Sequence, residues 1–227
     1  EARQAPREQV EDVYTRIPIR YVEVIEHTFS KMSQLNNDEE LSNADKVEIY
    51  RTFFNLEFED LVSRPTSGKN EYSEALVSEI SKQLTDQKYR IPEEIYYKLP
   101  GLGQQQIIAM ESSAIEIANR LMGGRITNAE EPRAKVAEQV LASNLQNTTA
   151  REIVQEIIRF AIVPNTFYDQ AATMEARQQA EEAVEPIYIG KNEVIVQKGE
   201  PITPELYQLL ANNDLLRDST NYWPVLG

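Results

Sequence analysis

His27 is the single histidine among 227 residues, and cysteine is absent. A histidine-based triad, a histidine-rich metal centre, thiolate ligation and a thiol nucleophile therefore all lack members. His27 follows Ile25 by two positions, about 200° around a helix, so it is expected on the polar face as a solvated side chain. Gly101 and Gly103 form a Gly-x-Gly without the Gly-Lys-Ser/Thr of a phosphate loop, and no strand is expected before them. They read as the loop that starts a helix. The acidic pairs Glu39-Glu40 and Glu181-Glu182 fall in charge-rich segments where nothing positions them as general acid and base. Tyr96-Tyr97 reads as the edge of a core, with a pocket lining as the alternative. The residues thus predict no catalytic centre, no metal centre and no cofactor in this chain.

Charge narrows the choice of partner. Lys and Arg number 23 against 37 Asp and Glu, a net charge of −14. Such a surface repels nucleic-acid phosphates and anionic headgroups, which excludes nucleic acid as a partner. The plain reading of the acidity is solubility. Hydrophobic residues make up 41% and charged residues 26%, a globular balance, and 8 glycines are too few for a turn-dense β sandwich. No apolar run approaches the ~18–20 residues of a membrane span. The opening Glu1-Ala2-Arg3-Gln4 is polar and unlike a signal peptide. A targeting or anchoring segment, where the native protein has one, is expected outside this chain.

The elements that would position any site are helical nearly throughout. Pro18 suits a first helical turn, and Val22, Ile25, Phe29, Met32 and Leu35 then mark one apolar face. Ser42 caps a second helix carrying Val47, Tyr50, Phe54, Phe58 and Leu61. Residues 64–68 are a loop by composition. Tyr72, Leu76, Ile80 and Leu84 mark a third helix, and Pro92 opens a short one. After Gly103, Ile107, Met110, Ala114, Ile117 and Leu121 form one stripe; Ile108, Ile115, Ala118 and Met122 form another. Two stripes predict partners on two sides, and Gly123-Gly124 predicts a left-handed C-cap. Pro132 starts a helix with Val136, Val140 and Leu141. Thr149 to Glu152 reads as a capping box for a helix that Pro164 ends.

Residues 166–183 read as a charged helix with a thin apolar face. After Pro186 the period changes. Residues 187–189 and 193–197 read as a hairpin, Lys198-Gly199-Glu200 as a turn, and Thr203 as the cap of a helix starting at Pro204. Residues 2–14 echo 176–188, ending on Tyr14 and Tyr188. The echo suggests two similar helix-to-strand units. It predicts that the segment from Val13 joins the hairpin, Tyr14 and Tyr188 anchoring corresponding places.

The C-terminal third carries a pattern: Pro164-Asn165-Thr166-Phe167-Tyr168-Asp169, a charged helix from Ala176, Val184-Glu185-Pro186-Ile187-Tyr188, then residues 194–203, Val-Ile-Val-Gln-Lys-Gly-Glu-Pro-Ile-Thr. It resembles the extracytoplasmic domain of bacterial seven-transmembrane HD hydrolases, the PgpH-like cyclic di-AMP phosphodiesterases. Matches span about 164–216, Val10 to Tyr14 fits more loosely, and 36–130 match by helical character alone. The resemblance implies a domain tethered to the membrane at both ends, on the extracytoplasmic face of a bacterial cell. A cytoplasmic HD domain elsewhere in such proteins hydrolyses the dinucleotide at a metal centre. An HD site needs several histidines and a His-Asp pair, whereas His27 precedes Thr28.

The expected fold is α+β and predominantly helical, a single domain over 1–227. Its helical body covers about 17–163; a charged helix, hairpin and short helix cover about 164–216. The expected function is that of a non-catalytic sensory or regulatory domain responding to an unidentified small ligand or protein partner. Asn165, Tyr168 and Asp169 are the candidate ligand contacts, with helix capping as the competing role. Two other readings stand beside it. One is a free-standing extracytoplasmic helical binding protein, a chaperone or adaptor. The other is an enzyme acting through carboxylates and tyrosines, which would need a deep pocket with convergent carboxylates.

Overall fold

The computed structural model describes residues 8–63, 72–183, 195–197, 199, 201–212 and 215. Two compact units divide the chain, Glu11–Met174 on the one hand, and Glu1–Val10 with Glu175–Gly227 on the other. Strand β1 (Tyr14–Arg16) opens the larger unit. Then come α1 (Tyr21–Asn37), α2 (Asn43–Ser63), α3 (Glu74–Asp86), α4 (Glu93–Lys98), a 3-10 turn (Leu99–Gly101) and α5 (Gln104–Met122). Helices α6 (Glu130–Leu141) and α7 (Thr148–Ala161), strand β2 (Thr166–Tyr168) and the start of α8 (Gln170–Glu182) complete it. The smaller unit holds the rest of α8 and α9 (Pro204–Asn212). The chain is α+β and predominantly helical, as its periodicity predicts.

Helix α5 packs against α1 and α7, the two-sided burial that its double stripe implies. Ile107, Met110, Ala114 and Ile117 are buried, and so are Ala118 and Met122 of the second stripe. Ile108 of that stripe is 58% exposed, so the apolar face is narrower at its start than expected. From α1 come Ile25, Phe29 and Met32, and from α7 come Ile153, Val154, Ile157 and Ile158, all buried. Each such side chain contributes about 1.5–3 kcal/mol over remaining in water.

The caps follow side-chain chemistry with two corrections. Ser42 Oγ accepts from the Asp45 N–H at 3.2 Å while Asp45 Oδ2 accepts from the Ser42 N–H at 3.3 Å, a reciprocal cap at the head of α2. Ser73 caps α3, and Thr203 caps α9 with Pro204 at its first position. At α7 the cap is Asn147, not Thr149. Asn147 Oδ1 accepts from the Ala150 N–H at 3.0 Å, so the helix starts one residue before the expected cap. Gly123 ends α5 with φ −65° and ψ −26°, right-handed, so the expected left-handed cap is not used. Among the described residues the glycine with positive φ is Gly199, at 97°, in the turn expected there.

Strand β1 is present where Val13 to Thr15 was expected to enter a sheet. Its partner among the described residues is β2, antiparallel, with Tyr14 opposite Tyr168, Thr15 opposite Phe167 and Arg16 opposite Thr166. The charged helix therefore starts at Gln170 and not at 166, because Thr166 to Tyr168 pair with β1. The tyrosine rings of the first pair meet edge-on at 6.0 Å. Residues 187–194 of the expected hairpin, and Tyr188 with them, lie outside the described residues; Ile195 and Val196 form a bend.

Candidate functional site

A cleft of about 350 Å³ opens between α2, the segment 88–91, α4 and the end of α7. That volume falls in the range of small-molecule sites. Phe54 and Phe160, both buried, form its floor, their rings edge-to-face at 5.2 Å. Half-buried Tyr96 extends the floor, 5.9 Å from the Phe54 ring. Tyr96 thus fills both roles open to it in the sequence, core edge and pocket lining, while Tyr97 is 63% exposed.

Three cations line the same cleft. The Arg51 guanidinium is engaged by Glu48, Glu93 and the Tyr97 hydroxyl. Lys88 stands 4.4 Å above the Phe58 ring and reaches Asn55 Oδ1 only at 3.5 Å. Arg90 is exposed and makes no side-chain pairing among the described residues.

Tyr89, between Lys88 and Arg90, is the anchor of the segment. Its hydroxyl donates to Glu156 Oε2, while Glu156 Oε1 accepts from Arg159 at 2.6 Å. The Arg133 guanidinium lies 5.3 Å from the Tyr89 ring centre. Burial first, then the hydrogen bond and charge of Glu156, push the Tyr89 hydroxyl up to about 12 from 10, with Arg159 opposing. Burial also raises Tyr96, and Arg51 opposes it. A tyrosine that ionises later in the folded than in the unfolded chain contributes stability that is complete below pH 10. That contribution is lost as the pH rises through about 12. Tyr89→Phe is therefore expected to flatten the fall in stability between pH 10 and 12, checked by urea midpoints of both proteins across that window. Equal slopes would refute it.

Asn165 and Asp169 are deeply engaged by the fold. Asn165 Oδ1 accepts from the Ile126 N–H at 2.8 Å and from the Thr166 hydroxyl at 2.9 Å; Nδ2 donates to Gly124 O at 3.0 Å. Asp169 Oδ1 caps α8 through the Ala172 N–H at 3.0 Å, and Oδ2 accepts from the Thr15 hydroxyl at 2.8 Å. Tyr168 is half-buried against Tyr14. None of the three lines the cleft.

His27 is exposed, as expected, yet not idle. Its Nδ1 lies 2.8 Å from Oε1 of the buried Glu57, and its ring meets Phe53 edge-on at 5.3 Å. Among the described residues no group of three or more His, Cys, Asp or Glu could hold a metal ion, and no helix is long and apolar enough to cross a membrane.

The described residues form a helical body with a mixed cationic and aromatic cleft between α2, residues 88–91, α4 and the end of α7. The family is defined by the sequence: residues 1–217 match the family described as 7TM-HD extracellular, and the chain belongs to it. That membership places the domain on the extracytoplasmic side. The chain is 28% identical over 155 residues to the cyclic-di-AMP phosphodiesterase PgpH of Bacillus subtilis, an alignment covering 67% of the chain and 22% of the relative. It is 35% identical over 66 residues to the PgpH of Listeria monocytogenes, covering 29% of the chain and 9% of the relative. The chain thus spans under a quarter of the length of these relatives. No solved structure matches it.

Proposed function

We propose that this domain is the non-catalytic sensory or regulatory part of a membrane-bound HD-family cyclic di-AMP phosphodiesterase. It takes up a small ligand or protein partner outside the membrane and passes that state to a cytoplasmic HD domain. It is tethered to the membrane at both ends, needs no cofactor of its own and contacts no nucleic acid. The observation that carries the reading is the family match over 1–217 in a chain whose one histidine cannot furnish an HD metal site. Sets of helices packed through discrete apolar stripes are compatible with it, since such packings can switch between distinct arrangements rather than deforming continuously.

The test uses two proteins. The 227-residue chain with Mn²⁺ is expected to hydrolyse no cyclic di-AMP. The full-length protein in vesicles is expected to change its hydrolysis rate when this domain is replaced by an inert spacer. Hydrolysis by the chain alone would overturn the non-catalytic assignment. An unchanged rate on replacement would overturn the regulatory one.

A further inference from the structure

We propose that the cleft between α2, residues 88–91, α4 and the end of α7 is a binding site for a small aromatic anion, a flat ring bearing a carboxylate. The inference rests on the sensory reading for its purpose and on the cleft alone for its chemistry.

The charge distribution is the first argument. On a chain of net charge −14, cations are outnumbered, yet Arg51, Lys88 and Arg90 line this cleft, Arg51 being paired with both Glu48 and Glu93. With Arg51 already paired, Lys88 and Arg90 are the cations left for an anion, which would offset their mutual repulsion.

Unused donors are the second argument. A guanidinium carries five N–H donors and an ammonium three. Arg90 gives none of its donors to a side chain among the described residues, and Lys88 has one long contact at 3.5 Å. Tyr89, tied down through Glu156, fixes the backbone between them. A carboxylate at the mouth would give both cations a charge-assisted partner.

The floor is the third argument and selects the rest of the ligand. Half-buried Tyr96 presents aromatic surface to the cavity, over the buried rings of Phe54 and Phe160, with Asn55 as a polar neighbour. Aromatic rings favour offset-stacked or edge-to-face partners, so a flat ring is held where an alkyl chain is held less specifically. A simple inorganic anion would leave that surface wet. The cleft at the α5–α6 corner makes the contrast. It also holds three cations: Arg120 is paired with Glu116 and Lys135 with Glu131, Arg125 has no side-chain pairing among the described residues, and no aromatic ring lines it, so the aromatic lining is what sets the two clefts apart.

The experiment uses the 227-residue chain and named probes: 4-hydroxybenzoate and indole-3-acetate, with benzamide, acetate and inorganic phosphate as controls, and adenosine monophosphate as the aromatic phosphate. Saturation-transfer NMR and thermal shift are read together. Both aromatic carboxylates are expected to bind, and benzamide, acetate and inorganic phosphate to bind at least tenfold more weakly. Arg90→Gln with Lys88→Gln is expected to weaken carboxylate binding at least tenfold, and Arg90→Gln alone to leave the unliganded melting temperature unchanged, since Arg90 makes no side-chain pairing among the described residues. Arg90→Glu is expected to abolish carboxylate binding. No binding of either carboxylate at 10 mM would overturn the site. So would equal binding of benzamide, undiminished binding by the double variant, or adenosine monophosphate binding tighter than both carboxylates. A chain that binds as expected, in a full-length protein whose hydrolysis rate ignores saturating probe, would overturn the sensory reading and leave the site standing.

Discussion

Asn165→Ala is expected to destabilise the domain by about 1–3 kcal/mol, chiefly from the buried Ile126 N–H left without its acceptor. Asn165 is 4% exposed and joins three separated segments. Its side chain holds the Ile126 N–H and the Gly124 carbonyl, and its own backbone carbonyl accepts from the Ile17 N–H at 2.8 Å. The Asn165 and Thr166 N–H groups both reach Ile126 O, at 2.9 and 3.1 Å. Alanine keeps the backbone bonds and removes the side-chain ones, so the α5–α6 corner stays joined to the strand pair through Ile126 O. Urea unfolding should show a lower midpoint with an unchanged slope, the mark of lost stability without a change in compactness. A midpoint equal to that of the parent would mean the amide serves something other than the fold.

The contrast between Asn165 and the helical body shows what a sequence exposes. Helices α1, α5 and α7 are legible because their apolar residues recur every three or four positions, and burial follows the same recurrence. Strand β2 is three residues long, too short to show alternation, and its partner lies at Tyr14–Arg16, over 150 positions away. Nothing local distinguishes Thr166-Phe167-Tyr168 from the start of the helix that follows. Asn165 and Asp169 are legible through the family pattern Pro-Asn-x-x-Tyr-Asp, while the Ile126, Gly124 and Thr15 groups they hold come from distant segments that the sequence does not join to them. The cleft is harder still. Arg51, Lys88, Tyr96 and Phe160 come from distant stretches of chain and form no motif, and of these only Tyr96 was singled out from the sequence. The usable signal was the basic step Lys88-Tyr89-Arg90 in an acid-rich chain.

Arg133 is the residue whose loss should reach furthest. It follows Pro132, where the sequence reads as the start of a helix, and it is 4% exposed. Its guanidinium donates to Arg159 O at 3.1 Å, Ile162 O at 2.8 Å and Gln87 O at 2.7 Å, and it pairs with Glu130 at 3.2 Å. Arg159 is in the last turn of α7, Ile162 follows it, and Gln87 follows α3. Carbonyls at helix ends lack partners within the helix, and a cation there also meets the negative end of the dipole. One guanidinium thus closes two helix ends while stacking near Tyr89. Burial lowers its pKa, and Glu130 opposes that shift. Arg133→Ala is expected to cost about 3–5 kcal/mol, since it leaves three backbone carbonyls without their donor at about 1–3 kcal/mol each. Arg133→Lys should recover little, because an ammonium on a flexible stem cannot meet three carbonyls set by a planar fork. The same change loosens the segment that carries Lys88 and Arg90. Affinity for 4-hydroxybenzoate should therefore fall in Arg133→Lys at temperatures where it is still folded, although Arg133 does not line the cleft. Urea midpoints and probe titrations on the same preparations check both parts. A midpoint matching the parent would show that the helix ends are closed by other means.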